Sequence, residues 1–198
     1  MSEILEIPIG KQKIDIFHVN QRFFVEKKDA EKLENEWRMC VDRNGTENEM
    51  DWNRNSNLLE IMEEFVILAI EFGFGIVCGI DPSAENGKIT KKLEEVDFSD
   101  TIDFRNRRLT ARDLWKKGYY LADGSRFGGN FLVYLQSPNS CHAEYVVLCE
   151  CDEKLGENRR ISAMRCCNQV KKNLLVAKTG NSLTPHYTKC VWFRPEIS

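Results

Sequence analysis

The chain has 198 residues, of which 42% are hydrophobic, and its net charge is −3. This length is enough for one large domain or two small ones. It contains no apolar run of the roughly eighteen residues that a membrane span needs, and its first residues lack the features of a signal peptide. The eight cysteines are scattered and include the adjacent pair Cys166 and Cys167, so we expect free thiols in a reducing, intracellular compartment.

The charge is distributed unevenly along the chain. Residues 1–100 carry a net charge of −10, whereas residues 101–198 carry +7. A basic half joined to an acidic half is typical of a protein that binds a polyanion. Solvated surfaces also vary in charge, so this pattern alone leaves both phosphate binding and an ordinary surface open.

The first half predicts an α/β domain with a mixed sheet, because alternating apolar residues indicate strands and a helical apolar spacing follows them. The predicted elements are strands over residues 13–19 and 22–25, a helix over 30–41, a polar loop over 42–57 and a helix over 58–69. Gly73 and Gly75 end the second helix. A charged connection follows, which predicts one domain over residues 1–105 and a second over residues 106–198.

The second half predicts a central sheet flanked by helices, and the whole chain therefore belongs to the α/β (α+β) class. Thr110 has the chemistry of a helix N-cap, Leu114 and Trp115 supply a buried face, and Gly118 ends that helix. The other predicted elements are a strand pair over residues 131–134 and 143–149, a helix over 161–170, and strands over 174–177 and 187–193.

Three chemically capable side chains lie at the ends of these predicted elements. Tyr134 ends one strand, His142 precedes the next, and Lys172 follows a helix. A loop between paired strands brings the phenol and the imidazole to one rim of the sheet. Lys172 lies about 200° around the helix from Val170, so it does not share the buried face predicted for Val170.

The motifs around these residues are Asp113-Leu114-Trp115, Gly118-Tyr119-Tyr120, Phe127-Gly128-Gly129-Asn130-Phe131-Leu132-Val133-Tyr134, His142-Ala143-Glu144-Tyr145 and Val170-Lys171-Lys172-Asn173-Leu174-Leu175. Over residues 109–193 the chain resembles the tRNA-splicing endonuclease family, and most closely its eukaryotic catalytic subunit for the 3′ splice site. The resemblance implies a catalytic endonuclease domain in the second half.

The resemblance also implies a metal-independent, lyase-type reaction that needs no cofactor. In such a reaction the ribose 2′-OH attacks the adjacent phosphorus and leaves a 2′,3′-cyclic phosphate and a 5′-OH. By this analogy Tyr134 helps to deprotonate the 2′-OH, His142 protonates the leaving oxygen, and Lys172 stabilises the phosphorane charge. An imidazole suits proton transfer near neutral pH, and a cation suits the developing negative charge.

The partners that the resemblance implies are precursor tRNA and other subunits of a nuclear complex. The C-terminal strand, residues 187–193, offers an apolar edge for a small non-catalytic subunit. The resulting dimer would join the 5′-site catalytic subunit and its partner in a heterotetramer. The basic residues Arg126, Arg160, Arg165 and Lys171 are candidates for RNA contacts.

Each candidate residue also has a structural interpretation. A tyrosine in an apolar strand is commonly a core residue, and a lysine at a helix end commonly stabilises the helix dipole. Lys171 competes with Lys172 for the catalytic role. Two rival functions remain open: a structural subunit of the same complex, and a metal-dependent nuclease that uses Asp152 and Lys154 with Glu144 or Glu150 as a further ligand.

Overall fold

The computed structural model describes residues 13–41, 57–80, 83, 87–150, 153–180 and 183–192, with the backbone alone for Leu93 and residues 153–156. The chain divides into two compact units, Met1–Asp100 and Thr101–Ser198. The predicted boundary between residues 105 and 106 instead falls inside the first helix of the second unit. In the described part of the chain, no helix has the length and apolar character that crossing a bilayer requires.

The first unit is built on a five-stranded mixed sheet in the order β3-β2-β1-β4-β5. Its elements are β1 (Ile14–Val19), β2 (Arg22–Glu26), α1 (Lys27–Trp37), β3 (Leu58–Ile61), α2 (Glu63–Glu71), β4 (Gly75–Ile80) and β5 (Lys88–Thr90). β1 is antiparallel to β2 and parallel to β4. The mixed sheet predicted for this half is therefore confirmed.

The helix predicted over residues 58–69 is wrong in its first part. Leu59 and Ile61 belong to a strand, because they pair with Val25 and Phe23 of β2. The helix begins only at Glu63, and the strands β4 and β5 were not predicted.

The helix predicted over residues 30–41 begins earlier and ends earlier than expected. It covers Lys27–Trp37, since Arg38 adopts a left-handed φ of 56° that ends the helix. Apart from Asn57, the predicted loop over residues 42–57 lies outside the described residues.

The second unit contains another five-stranded mixed sheet, in the order β10-β9-β8-β7-β6. Its elements are α3 (Ile102–Lys116), β6 (Tyr120–Asp123), a 3₁₀ helix (Ser125–Phe127), β7 (Phe131–Tyr134), β8 (Tyr145–Glu150), α4 (Glu153–Gln169), β9 (Asn173–Lys178) and β10 (His186–Cys190). β8 is parallel to β9 and antiparallel to β7. The predicted β7–β8 hairpin is confirmed.

Helices α3 and α4 cover opposite faces of this sheet. On one face, Val146, Leu148 and Leu174 form a core cluster with residues of α4. Strand register puts Tyr187 on the other face, where its hydroxyl donates to Asp113 Oδ2 of α3 at 2.6 Å. The predicted class, with mixed sheets flanked by helices, is confirmed.

Several boundaries in this unit differ from the predictions. Thr101, not Thr110, caps α3, and its hydroxyl accepts from the Phe104 amide at 3.1 Å. Thr110 is buried within the helix, and α4 begins eight residues before the predicted start at Ile161. β10 ends at Cys190, and Phe193 lies outside the described residues.

The Gly128-Gly129-Asn130 turn is required by the packing between β7, β8 and α4. A Cβ on Gly129 would lie 2.4 Å from Val146 Cγ1 and 2.9 Å from the Val147 carbonyl oxygen. Gly128 has a φ of 76°, and a Cβ there would contact Ala163 of α4. The Asn130 amide oxygen accepts from the Cys149 N–H at 2.7 Å, so this side chain continues the hydrogen bonding of β8 past the start of β7.

We predict that Gly129→Ala destabilises the second unit by roughly 1–3 kcal/mol, because the added methyl group overpacks a site closed by backbone atoms. Urea denaturation followed by circular dichroism measures the change. Ser140→Ala, in an exposed loop, is the control and should stay within about 0.5 kcal/mol of the parent chain. Equal stabilities for the two variants would contradict the packing argument.

Candidate active site

The three candidate catalytic residues lie at one end of the second sheet. Tyr134 is the last residue of β7, and Lys172 directly precedes β9. Tyr145, the first residue of β8, pairs with Val133 on one side and Asn173 on the other. Because β7 is antiparallel to β8 and β9 is parallel to it, the end of β7 and the beginning of β9 lie beside the beginning of β8. The sheet thus brings the segments that carry Tyr134, His142 and Lys172 together.

His142 is exposed in the loop that connects β7 and β8. The Ser140 amide donates to the Ser137 carbonyl at 2.8 Å, and the Glu144 amide donates to the Val133 carbonyl at 2.9 Å. Ala143, directly after His142, is buried. The imidazole therefore stands on a loop whose backbone is anchored on both sides and is open to a ligand from solvent.

Lys172 links β9 to this loop. Its ammonium donates to the Ala143 carbonyl at 3.1 Å and lies 5.8 Å from the centre of the Phe127 ring. Its backbone amide donates to the Cys167 carbonyl of α4 at 2.9 Å. The side chain of Lys172 is therefore held beside the residue that follows His142.

The predicted helical register around Lys172 is wrong. α4 ends at Gln169, and Lys171 adopts a left-handed φ of 53°, so Lys172 is not part of the helix. Val170, predicted to be buried, is 41% exposed. The structure places Lys172 half-buried against the His142 loop, whereas Lys171 is exposed.

Tyr134 is half-buried on the face of the sheet that α4 covers. It packs against the core cluster that includes Leu132, Val146 and Leu174. The ring thus contributes to the core, as its structural interpretation predicted. Its position at the end of β7 also puts it in the group at this end of the sheet.

Two supporting contacts were missed in the sequence analysis. The Asn173 side chain donates from Nδ2 to Glu144 Oε1 at 3.0 Å, which ties the beginning of β9 to the His142 loop. Phe127 lies under the Lys172 ammonium. Both residues are within the recognised motifs, but their contacts depend on strand register, which the motifs alone do not define.

The four basic candidates occupy different surroundings. Arg126 is exposed in the 3₁₀ helix beside Phe127, and Arg165 and Lys171 are exposed near the end of α4. Arg160 instead lies 2.7 Å from Glu150 Oε1, a carboxylate with only 2% of its side chain exposed. This contact is an ion pair without good hydrogen-bond angles. Glu150 ends β8, so the structure does not bring Arg160 to the end of the sheet where His142 lies.

A cavity of about 240 Å³ opens beside Lys172 and is also lined by Cys167 and Trp192. Burial raises the pKa of the Cys167 thiol to about 11, so the thiol stays protonated at neutral pH. A protonated thiol is a poor nucleophile. Of these groups, the Lys172 ammonium and not the Cys167 thiol therefore offers reactive chemistry to a ligand in this cavity.

The metal-dependent alternative offered two carboxylates, Glu144 and Glu150, as further ligands. Glu144 and Glu150 lie at opposite ends of β8, and their carboxylates contact Asn173 and Arg160 respectively. Asp152 and the side chain of Lys154 lie outside the described residues. Among the residues that are described, no group of three or more His, Cys, Asp or Glu side chains is arranged to hold a metal ion.

Comparison with known proteins identifies this unit. Residues 104–184 match the catalytic C-terminal domain of tRNA intron endonucleases. The C-terminal unit belongs to the tRNA-splicing endonuclease family. The matched range contains Tyr134, His142 and Lys172 and ends before β10 is complete.

Curated relatives agree with this assignment. The chain is 34% identical over 82 residues to tRNA-splicing endonuclease subunit Sen34 of Mus musculus, covering 41% of this chain and 26% of that protein. It is 29% identical over 116 residues to the tRNA-splicing endonuclease of Methanopyrus kandleri, covering 57% of this chain and 65% of that protein. For the Hyperthermus butylicus tRNA-splicing endonuclease the identity is 34% over 86 residues, with coverage of 42% and 48%. The matched part of the chain thus spans between about a quarter and two thirds of these relatives.

Proposed function

We propose that this chain is a catalytic subunit of a tRNA-splicing endonuclease that cuts precursor tRNA at the 3′ splice site. One observation carries the proposal: within a domain of this family, the sheet gathers the Tyr134, His142 and Lys172 segments at one end. This residue set can act on a ribose phosphate, since it offers a phenol, an imidazole and an ammonium.

The proposed reaction is a metal-independent transesterification of the lyase type. The 2′-OH attacks the neighbouring phosphorus, the bond to the 5′ oxygen breaks, and the products are a 2′,3′-cyclic phosphate and a 5′-OH. Tyr134 takes part in removing the 2′ proton, and His142 delivers a proton to the leaving oxygen. His142 is suited to this role because its exposed loop position gives RNA direct access to the imidazole.

Lys172 stabilises the additional negative charge on the phosphorane oxygens. Its ammonium has three donors and uses one on the Ala143 carbonyl. That bond keeps the charge beside the His142 loop before RNA arrives, so little rearrangement is needed during the reaction. A pre-positioned cation of this kind is commonly among the largest contributions to catalysis.

The assignment to the 3′ site rests on the resemblance of the Gly128-Gly129-Asn130-Phe131 motif to the 3′-site catalytic subunit. The Sen34 subunits of mouse and human, each 34% identical to this chain over 82 residues, support the coarser assignment to a tRNA-splicing endonuclease subunit. As part of the same proposal, the chain acts in the nucleus within a heterotetramer. A small non-catalytic subunit pairs with its C-terminal strand, and the 5′-site catalytic subunit with its partner completes the assembly.

The strand available for that pairing is β10, which lies at one edge of the sheet, beside β9. The exposed side chains of β10 itself are polar, and the apolar surface lies just beyond the strand. Val191 is 71% exposed and Trp192 is 41% exposed. An edge strand followed by exposed apolar residues fits strand addition by another chain.

The function is tested by cleavage of an intron-containing precursor tRNA with mapping of the product ends. We predict that His142→Ala lowers the cleavage rate at the 3′ site by about 10²–10⁴-fold, the usual contribution of a general acid. Cleavage by the parent chain should persist in excess EDTA, because protein side chains supply the proton transfer and the charge stabilisation.

Each alternative gives a different result in that assay. Unchanged 3′-site cutting by His142→Ala would support a structural subunit in a complex where another chain cuts. Loss of cleavage in EDTA, restored by magnesium with the RNA still folded, would support the metal-dependent alternative at Asp152 and Lys154.

The two adjacent lysines provide a matched pair of variants. We predict that Lys172→Met lowers single-turnover cleavage by about 10²–10³-fold, since it removes a charge next to the reacting phosphate. Lys171→Met should have a much smaller effect, because Lys171 is exposed, whereas the Lys172 ammonium is held at the Ala143 carbonyl. Equal stability in thermal denaturation shows that both variants are folded. A larger loss for Lys171→Met would show that the proposal assigns the catalytic charge to the wrong lysine.

The partner proposal has its own test. We predict that Val191→Asp prevents co-purification of the small subunit, because a carboxylate at this exposed apolar position opposes strand addition. Lys189→Asp is the control for a charge change on β10, and we expect it to keep the partner. Co-elution of Val191→Asp with the small subunit in size-exclusion chromatography at micromolar concentration would refute the proposed interface.

A further inference from the structure

Helix α3 carries a line of positive charge that the proposed reaction does not use. Its members are Arg105, Arg108, Arg112 and Lys116, and this set is called the α3 stripe. The spacings of three, four and four residues keep all four within about 80° of the helix circumference. The stripe extends over about 16 Å at 1.5 Å per residue. Arg105, Arg108 and Lys116 are exposed, and Arg112 is half-buried.

The stripe borders the buried face of α3. Phe104, Ala111, Leu114 and Trp115 are buried on that face. The helix also carries two carboxylates, Asp103 and Asp113. Asp103 pairs with Arg107 at 2.6 Å, and Asp113 pairs with Lys117 at 2.6 Å and accepts from the Tyr187 hydroxyl. Both carboxylates therefore have at least one partner outside the stripe.

The stripe is connected to the end of the sheet that holds the candidate active site. Only residues 117–119 separate α3 from β6, and Tyr120, which begins β6, pairs with Tyr134. The Lys116 end of the stripe therefore lies near that end of the sheet. However, α3 covers the face opposite to α4, whereas Tyr134 packs on the α4 face. A ligand that touches both must pass around the sheet.

We propose that the α3 stripe binds the phosphate backbone of the RNA substrate at a distance from the cleaved bond. This inference rests on the proposed function for the identity of the ligand. Three of the four cations are arginines, whose planar guanidinium groups bind phosphate through paired hydrogen bonds. The second half of the chain, which contains α3, also carries the net charge of +7. A ligand that reaches from His142 to the stripe is a large folded RNA rather than a short oligonucleotide.

The test compares two triple variants that lose the same charge. The stripe variant carries Arg105→Gln, Arg108→Gln and Lys116→Gln, and glutamine preserves the helix propensity of these positions. The control variant carries Lys13→Gln, Lys27→Gln and Lys92→Gln, three exposed lysines of the first unit. Both are made in the full chain, with any co-purifying subunits retained. Binding of precursor tRNA is measured by fluorescence anisotropy in EDTA from 50 to 300 mM KCl.

Each lost phosphate contact reduces the slope of log K against log salt by about 0.7–0.9. We expect the stripe variant to lose about 2 from this slope and to bind precursor tRNA at least tenfold more weakly at 100 mM KCl. The control variant should bind within about twofold of the parent chain. Cleavage of a short RNA that contains only the cleaved site should be equally fast for the stripe variant and the parent chain.

The outcomes separate the two proposals. Parental affinity and slope in the stripe variant, with precursor cleavage intact, would overturn the stripe and leave the proposed function standing. Weaker RNA binding by the stripe variant, when no chain cleaves precursor tRNA, would support the stripe and count against the function. Loss of a co-purifying acidic protein with RNA affinity unchanged would overturn the stripe as an RNA site and assign it to protein binding.

Discussion

The pairing of β8 with its two neighbours is the constraint on which the rest of the second unit depends. Val147 pairs with Phe131 of β7 and with Leu175 of β9, so one central strand defines the register of both. Because β8 is antiparallel to one neighbour and parallel to the other, the end of β7 and the beginning of β9 meet at its first residue. A shift of one residue in either pair would turn the side chains of that strand to the opposite face.

This register is protected by the turn that precedes β7. Gly129 lies so close to β8 that a side chain does not fit, and Asn130 replaces a backbone acceptor for Cys149. Glycines cost conformational entropy on folding, and a buried amide without an acceptor costs about 1–3 kcal/mol. The most recognisable motif of the chain is therefore a packing device. Its contribution to the candidate site is indirect, since it holds β7 and Tyr134 in register.

Sequence patterns predicted the second unit better than the first because its strands are bounded by clear turns. The strand that ends at Tyr134, the hairpin to β8 and a central sheet flanked by helices were all predictable. For Leu58–Ile61, a short apolar stretch suits either a strand or a helix, and pairing with β2 decided the outcome. Helix starts were also missed, because Thr101 and Thr110 have the same capping chemistry and the sequence contains no measure of their burial.

In the candidate site, too, the sequence predicted the residues but not the contacts that they make. Tyr134, His142 and Lys172 were chosen from their order and chemistry, and the structure brings their segments to one end of the sheet. The reason given for Lys172 was wrong, since the helix ends before it and the left-handed Lys171 turns the chain.

That turn has a physical consequence for the two lysines. It aims one lysine at the Ala143 carbonyl and leaves the other in solvent, although the two are chemically identical. A held ammonium has already lost most of its rotamer entropy, so binding it to a phosphate costs less than ordering a free lysine. The backbone at Lys171, and not the lysine side chains themselves, is what distinguishes the two positions.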